Sequence, residues 1–157
     1  MKALLCFVLG CLSTLSAAPA GALVGATDKE LHDRALGVVQ LERDHAKQAF
    51  CPRAKSTLDV NECYSAEVGM TDANYTKLVR ILGALLRYGN TTTPAARIPF
   101  DDAESAWHSY RELACHAAGA QYEGGTIRPS IEMSCSLTLT RHHMDELWDV
   151  YSDLGTR

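Results

Sequence analysis

Beyond residue 27 the apolar side chains recur every three or four positions, the spacing of a buried helix face, and essentially no sheet is expected. In the first such segment Leu31, Ala35, Val38, Val39, Glu42, Ala46 and Ala49 share one face, and Glu42 is its single discordant member. Thr27 and Glu30 have capping-box spacing, so this helix should begin at Asp28, and Pro52 should stop it near Phe50. Ser56 can cap a second helix over 57–88, whose face carries Val60, Tyr64, Val68, Tyr75, Leu78, Val79, Leu82, Leu85 and Leu86. Gly69 and the Met70-Thr71-Asp72 run mark a kink or restart within it.

Gly89 to Pro94 has the composition of a mobile loop. Helix should resume at Pro99-Phe100-Asp101-Asp102, with an Asp as cap, burying Ala103, Ala106, Trp107, Tyr110, Leu113, Ala114 and Ala117. It should end between Gly119 and Gly125. A last helix, 131–154, presents Leu137, Arg141, Met144, Leu147, Trp148, Tyr151 and Leu154. The pattern therefore predicts an all-α protein, an antiparallel bundle of about four helices with short connections.

Cysteine usage adds staples to that bundle. Residues 1–20 have a positive start at Lys2, an apolar run and a small-residue end at Ala18-Pro19-Ala20, the signature of a secretory signal peptide. Cleavage after Ala20 leaves a single domain over 21–157 with Cys51, Cys63, Cys115 and Cys135. Their separations suit no zinc site, and of the three connectivities the two local ones, Cys51 with Cys63 and Cys115 with Cys135, are expected. Each would stabilise the fold by about 3 kcal/mol in the chain-entropy account. The competing route, an imperfect lipobox at Val8-Leu9-Gly10-Cys11, would leave a lipid anchor on Cys11. No later run is long and apolar enough to span a bilayer.

Without residues 1–20 the chain has 14 Lys and Arg against 19 Asp and Glu, a formal charge of −5. That argues against nucleic acid and is compatible with a basic protein partner.

Candidate chemistry is sparse. The sequence lacks a nucleophile elbow, a Walker loop, a dinucleotide fingerprint and an H-E-x-x-H pair. His108, Glu112 and His116 recur every four residues and could in principle share a metal, but a solvated polar stripe explains them as well, and no metal or other cofactor is expected. His142 and His143 are adjacent and diverge on a helix. Trp107, Tyr110 and Arg111 can lock a helix pair; in a functional reading they prop up the Gly124-Gly125 turn, whose ends the Cys115–Cys135 bridge would hold for presentation to a partner.

Two groups of residues resemble the LprI-like lysozyme inhibitor domain of bacterial envelope proteins. One comprises Ala106, Trp107, Tyr110, Arg111 and Cys115, then Gly124, Gly125, Thr126 and Pro129, then Cys135, Leu139 and Thr140. The other comprises Cys51, Ser56, Asn61, Cys63 and Asp72. Together they span about 51–147. The sequence departs from the family pattern at Val60, Glu112 and His143, where methionine, aspartate and arginine are usual, and around Asn74-Tyr75-Thr76.

The resemblance implies an exported, disulfide-bonded helical domain, periplasmic or secreted, that binds a protein partner such as a lysozyme and occludes its cleft without catalysis of its own. Trp107, Tyr110, Arg111, Gly124, Gly125 and Thr126 are the expected binding residues. The rival expectations are an envelope interaction or structural module with another protein partner and, less well founded, a metal-assisted enzyme.

Overall fold

The computed structural model describes residues 23, 25–48, 50–88 and 96–156. It contains four helices, α1 (Asp28–Ala46), α2 (Thr57–Tyr88), α3 (Arg97–Ala120) and α4 (Arg128–Tyr151), and no strand among the described residues. Both expected disulfides are present, Cys51–Cys63 and Cys115–Cys135. The expected leader at 1–20 and the expected loop at 89–94 lie outside the described residues.

Contacts between helices fix their directions. Glu42 on α1 meets Thr71 and Asn74 on α2, while His45, one turn further on, meets Glu67. Tyr75 on α2 meets Glu104 on α3, and Asp72 meets Arg111. Arg111 also meets Thr140 on α4, and Glu104 meets His143. Each of these pairs is antiparallel. α2 and α4 pack on each other, with α1 against both and α3 mainly against α4.

The termini of the four helices consequently gather at two poles. The start of α1 and end of α4 share one, where the Asp28 carbonyl lies so close to Gly155 (φ +78°) that a β-carbon there would stand 2.6 Å from it. The other pole holds both disulfides and the α3–α4 turn.

The core is graded along this axis. At the pole of the chain ends, Leu31, Leu78, Ile81, Leu82, Leu85 and Met144 are fully buried, and Phe100 and Leu147 pack with them. Towards the disulfide pole the apolar interior gives way to hydrogen-bonded charge. The covalent bridges lie where apolar burial is thinnest.

Several boundaries differ from the pattern reading. α1 has its capping box at Thr27 and Glu30, but ends at Ala46, short of Phe50, because the chain turns through Cys51 in a left-handed conformation (φ +47°) to reach Cys63. α2 runs unbroken through Gly69, over 32 residues and about 48 Å. Ser56 caps it as expected, its hydroxyl accepting from the Asp59 amide while Asp59 accepts from the Ser56 amide. α3 begins at Arg97 without a side-chain cap; Pro99 fits its first turn, where no amide is needed, and Asp101 pairs with Arg97. α4 begins at Arg128, with Pro129 in its first turn, and ends at Tyr151, before Leu154.

The largest correction concerns α3. Its buried residues are Phe100, Glu104, Arg111, Cys115 and Gly119, with Trp107 half-buried, whereas Ala103, Ala106, Tyr110, Leu113 and Ala117 are exposed. The buried face is thus turned roughly a third of a revolution from the one that alanine spacing indicates. Ala46 in α1 is likewise exposed.

Candidate functional site

Three layers of buried polar side chains cross the bundle. Around Glu42, which is only 3% exposed, Thr71 Oγ1 donates to the carboxylate at 2.7 Å, Asn74 Nδ2 at 2.8 Å and Arg141 Nε at 2.8 Å. Burial pushes this carboxyl towards higher pKa, but the bonds from Asn74, Arg141 and Thr71 outweigh it and hold the group below its usual range. Arg141 reaches on to Glu67, which also faces His45 at 3.2 Å.

In the second layer Tyr75 donates its hydroxyl to Glu104 at 2.6 Å, and His143 Nε2 lies 3.1 Å from the same carboxylate. Burial and then the Glu104 carboxylate drive the Tyr75 phenol well above its ordinary value. The His143 ring is stacked on Trp107, with centroids 4.1 Å apart. In the third layer Arg111 donates to Asp72 at 2.6 Å and to Thr140 Oγ1 at 2.7 Å, its guanidinium 5.1 Å from the Trp107 ring. The Thr140 hydroxyl in turn donates to the Ser136 carbonyl. Nearer the disulfide pole Ser130 bonds Asn61.

The expected binding residues therefore separate into two sets. Trp107 and Arg111 lie within the helix packing, meeting Tyr75, His143, Asp72 and Thr140. Tyr110, Gly124, Gly125 and Thr126 face solvent. Trp107 and Arg111 are several helical turns from the glycines, so their direct contacts brace the α2–α3–α4 junction.

The turn is braced locally instead. The Tyr122 amide donates to the Gly119 carbonyl and the Gly125 amide to the Tyr122 carbonyl, Gly124 supplies a left-handed residue (φ +76°), and Cys115–Cys135 ties the two helices together behind. Tyr110 and Leu113 on α3, and Tyr122 and Ile127 in this turn, are exposed.

Metal binding finds no support in the arrangement of the histidines. His108 faces Arg111, His116 faces Arg128 and Glu132, and Glu112 is exposed. Among the described residues no three His, Cys, Asp or Glu side chains are grouped so as to hold an ion.

Residues 51–147, well over half of the chain, match the family model described as lysozyme inhibitor LprI. The chain belongs to this family. An uncharacterized protein of Rhizobium meliloti (strain 1021) is 28% identical over 104 residues, which cover 62% of this chain and 75% of that one. No solved structure matches the chain at a significant level.

The family is one of inhibitors associated with the bacterial envelope, which makes a protein partner such as a lysozyme the natural expectation, and no described helix is long and apolar enough to cross a membrane. Asp72, Arg111 and Thr140, all among the residues that carry the sequence resemblance, are joined in one cluster. His143 is engaged by the Glu104 carboxylate and stacked on Trp107. Sequence reading missed the partners Glu42, Glu104 and Tyr75 as a network. The available signal was Glu42, one acidic residue on an otherwise apolar face.

Proposed function

We propose that this is an exported, non-catalytic binding protein that inhibits lysozyme-type peptidoglycan glycosidases by occluding their active-site cleft. The contact surface in this reading is the exposed face of α3 with the α3–α4 turn: Tyr110, Leu113, Gly124, Gly125 and Thr126, with Trp107 and Arg111 acting from behind as braces. The observation that carries the proposal is the exposure of four large apolar side chains, Tyr110, Leu113, Tyr122 and Ile127, on a segment tied down by the Cys115–Cys135 bridge. A surface ordered before binding loses little entropy on contact, which suits it to filling a preformed cleft.

Loss of residues 1–20 would deliver the single domain 21–157 to the periplasm or outside, with lipidation at Cys11 as the rival route. The resulting charge of −5 would attract a basic enzyme, an effect that weakens with salt.

Turnover assays with several lysozyme classes and micromolar oxidised protein test the reading. Inhibition is expected, and the pair Tyr110→Ala and Leu113→Ser should weaken it about tenfold or more with an unchanged melting temperature. Arg111→Lys, which keeps charge but not the planar guanidinium that bonds Asp72 and Thr140 and lies against Trp107, should lower the melting temperature instead. No inhibition of any lysozyme would defeat the proposal and leave a module for another protein of the envelope.

A further inference from the structure

At the disulfide pole, away from the α3 face, the end of α1 and the beginnings of α2 and α4 enclose a cleft of about 250 Å³. Its polar lining comprises His45, Gln48, Glu67, Ser134 and Arg141, and its aromatic wall is Phe50 with Tyr64. The two rings lie 4.3 Å apart, tilted, and Phe50 remains 40% exposed. Phe50 is held there by its neighbour Cys51, whose left-handed backbone is tied to Cys63 on α2, one residue before Tyr64. Arg141 uses Nε on Glu42 and Nη2 on Glu67, and Nη1 makes no hydrogen bond among the described residues.

We infer that this cleft is a binding site for one pyranose ring of a neutral glycan. The lining selects among ligand classes. An anion needs donors and a cation needs acceptors, whereas a sugar hydroxyl needs both at once. Here a carboxylate (Glu67), a guanidinium (Arg141), an amide (Gln48) and a hydroxyl (Ser134) meet in one small space.

Glu42 and Glu67 share Arg141, so the cluster keeps one negative charge in excess and disfavours an anion, while Glu67 is already engaged by Arg141 and His45 and offers a cation no free carboxylate. The apolar face of a pyranose supplies what the Phe50–Tyr64 wall can cover. The volume is small even for a ligand pocket and admits a ring, not a chain. This site is separate from the proposed lysozyme surface and would exist whether or not that surface acts.

Titration of the ¹⁵N-labelled oxidised protein with N-acetylglucosamine, followed by heteronuclear NMR, tests the inference. Saturable shifts are expected at Gln48, Phe50, Tyr64, Glu67 and Ser134. Phe50→Ala, at an exposed position outside the helices, and Glu67→Gln should each weaken binding about tenfold, while Leu113→Ser leaves it unchanged. Parallel titrations with sodium acetate and n-butylammonium should give no saturable shift at these residues. Non-saturating or scattered shifts with the sugar, equal saturation by either ion, or full affinity in both cleft variants would overturn it.

Discussion

Replacing Glu42 by Gln keeps the volume of a buried side chain near the carboxy-terminal end of α1 and changes only its charge and one acceptor. In the native arrangement one carboxylate oxygen takes the Thr71 hydroxyl and Arg141 Nε, and the other takes Asn74 Nδ2. A glutamine can keep the first two bonds through its carbonyl, but its amide then points a donor at the Asn74 donor, and Arg141 loses the negative charge buried beside it. Arg141 retains Glu67, at a longer 3.4 Å. One charge-assisted bond lost and one weakened, with an arginine left partly uncompensated, amounts to about 3 kcal/mol. In a chain of this size that is about 10 °C in melting temperature.

Urea unfolding followed by tryptophan fluorescence, with both disulfides oxidised, measures it as a lower midpoint at unchanged slope. The pH dependence adds a second signature. The folded pKa of Glu42 is lowered, so its contribution is complete above the ordinary carboxylate value and is lost as pH falls through the lowered value. The gap between wild type and Glu42→Gln should therefore be widest near neutrality and close in acid. A loss under about 0.5 kcal/mol at pH 7, the scale of an ordinary surface substitution, would refute the view that this layer holds α1 in place.

The Tyr75 phenol, raised by burial and by Glu104, gives an alkaline counterpart. Its contribution is complete below the ordinary tyrosine value and disappears as pH rises beyond it; absorbance titration of the native protein should match that of Tyr75→Phe, and the extra tyrosine should appear only when the protein unfolds. The bridges should also differ in reactivity: Cys51 and Cys63 are half-buried and Cys51 has a left-handed backbone, whereas Cys115 is only 5% exposed. Graded dithiothreitol with alkylation and mass mapping should open Cys51–Cys63 first, and simultaneous opening would contradict this.

The apolar half of the bundle was legible because its burial follows side-chain type. Leu31, Val38, Leu78, Leu82 and Leu85 recur at helical intervals and are buried. The disulfide pairing was legible from chain distance. The polar half was not, since a buried Glu104 or Arg111 carries the same letter as a solvated one, and only partners distant in sequence, Tyr75, His143, Asp72 and Thr140, reveal the difference.

Alanine misled the reading of α3 for a related reason: it favours helix without demanding burial, so Ala103, Ala106 and Ala117 formed an attractive but exposed stripe. Of the expected binding residues, the glycine turn followed from local chemistry. The inward role of Arg111 required the fold.

The meeting of Asp28 with Gly155 sets an orientation for the whole molecule. A tether entering through the amino-terminal side, or a tag added at the other end, attaches to the same pole. That pole lies at the opposite end of the bundle from both disulfides.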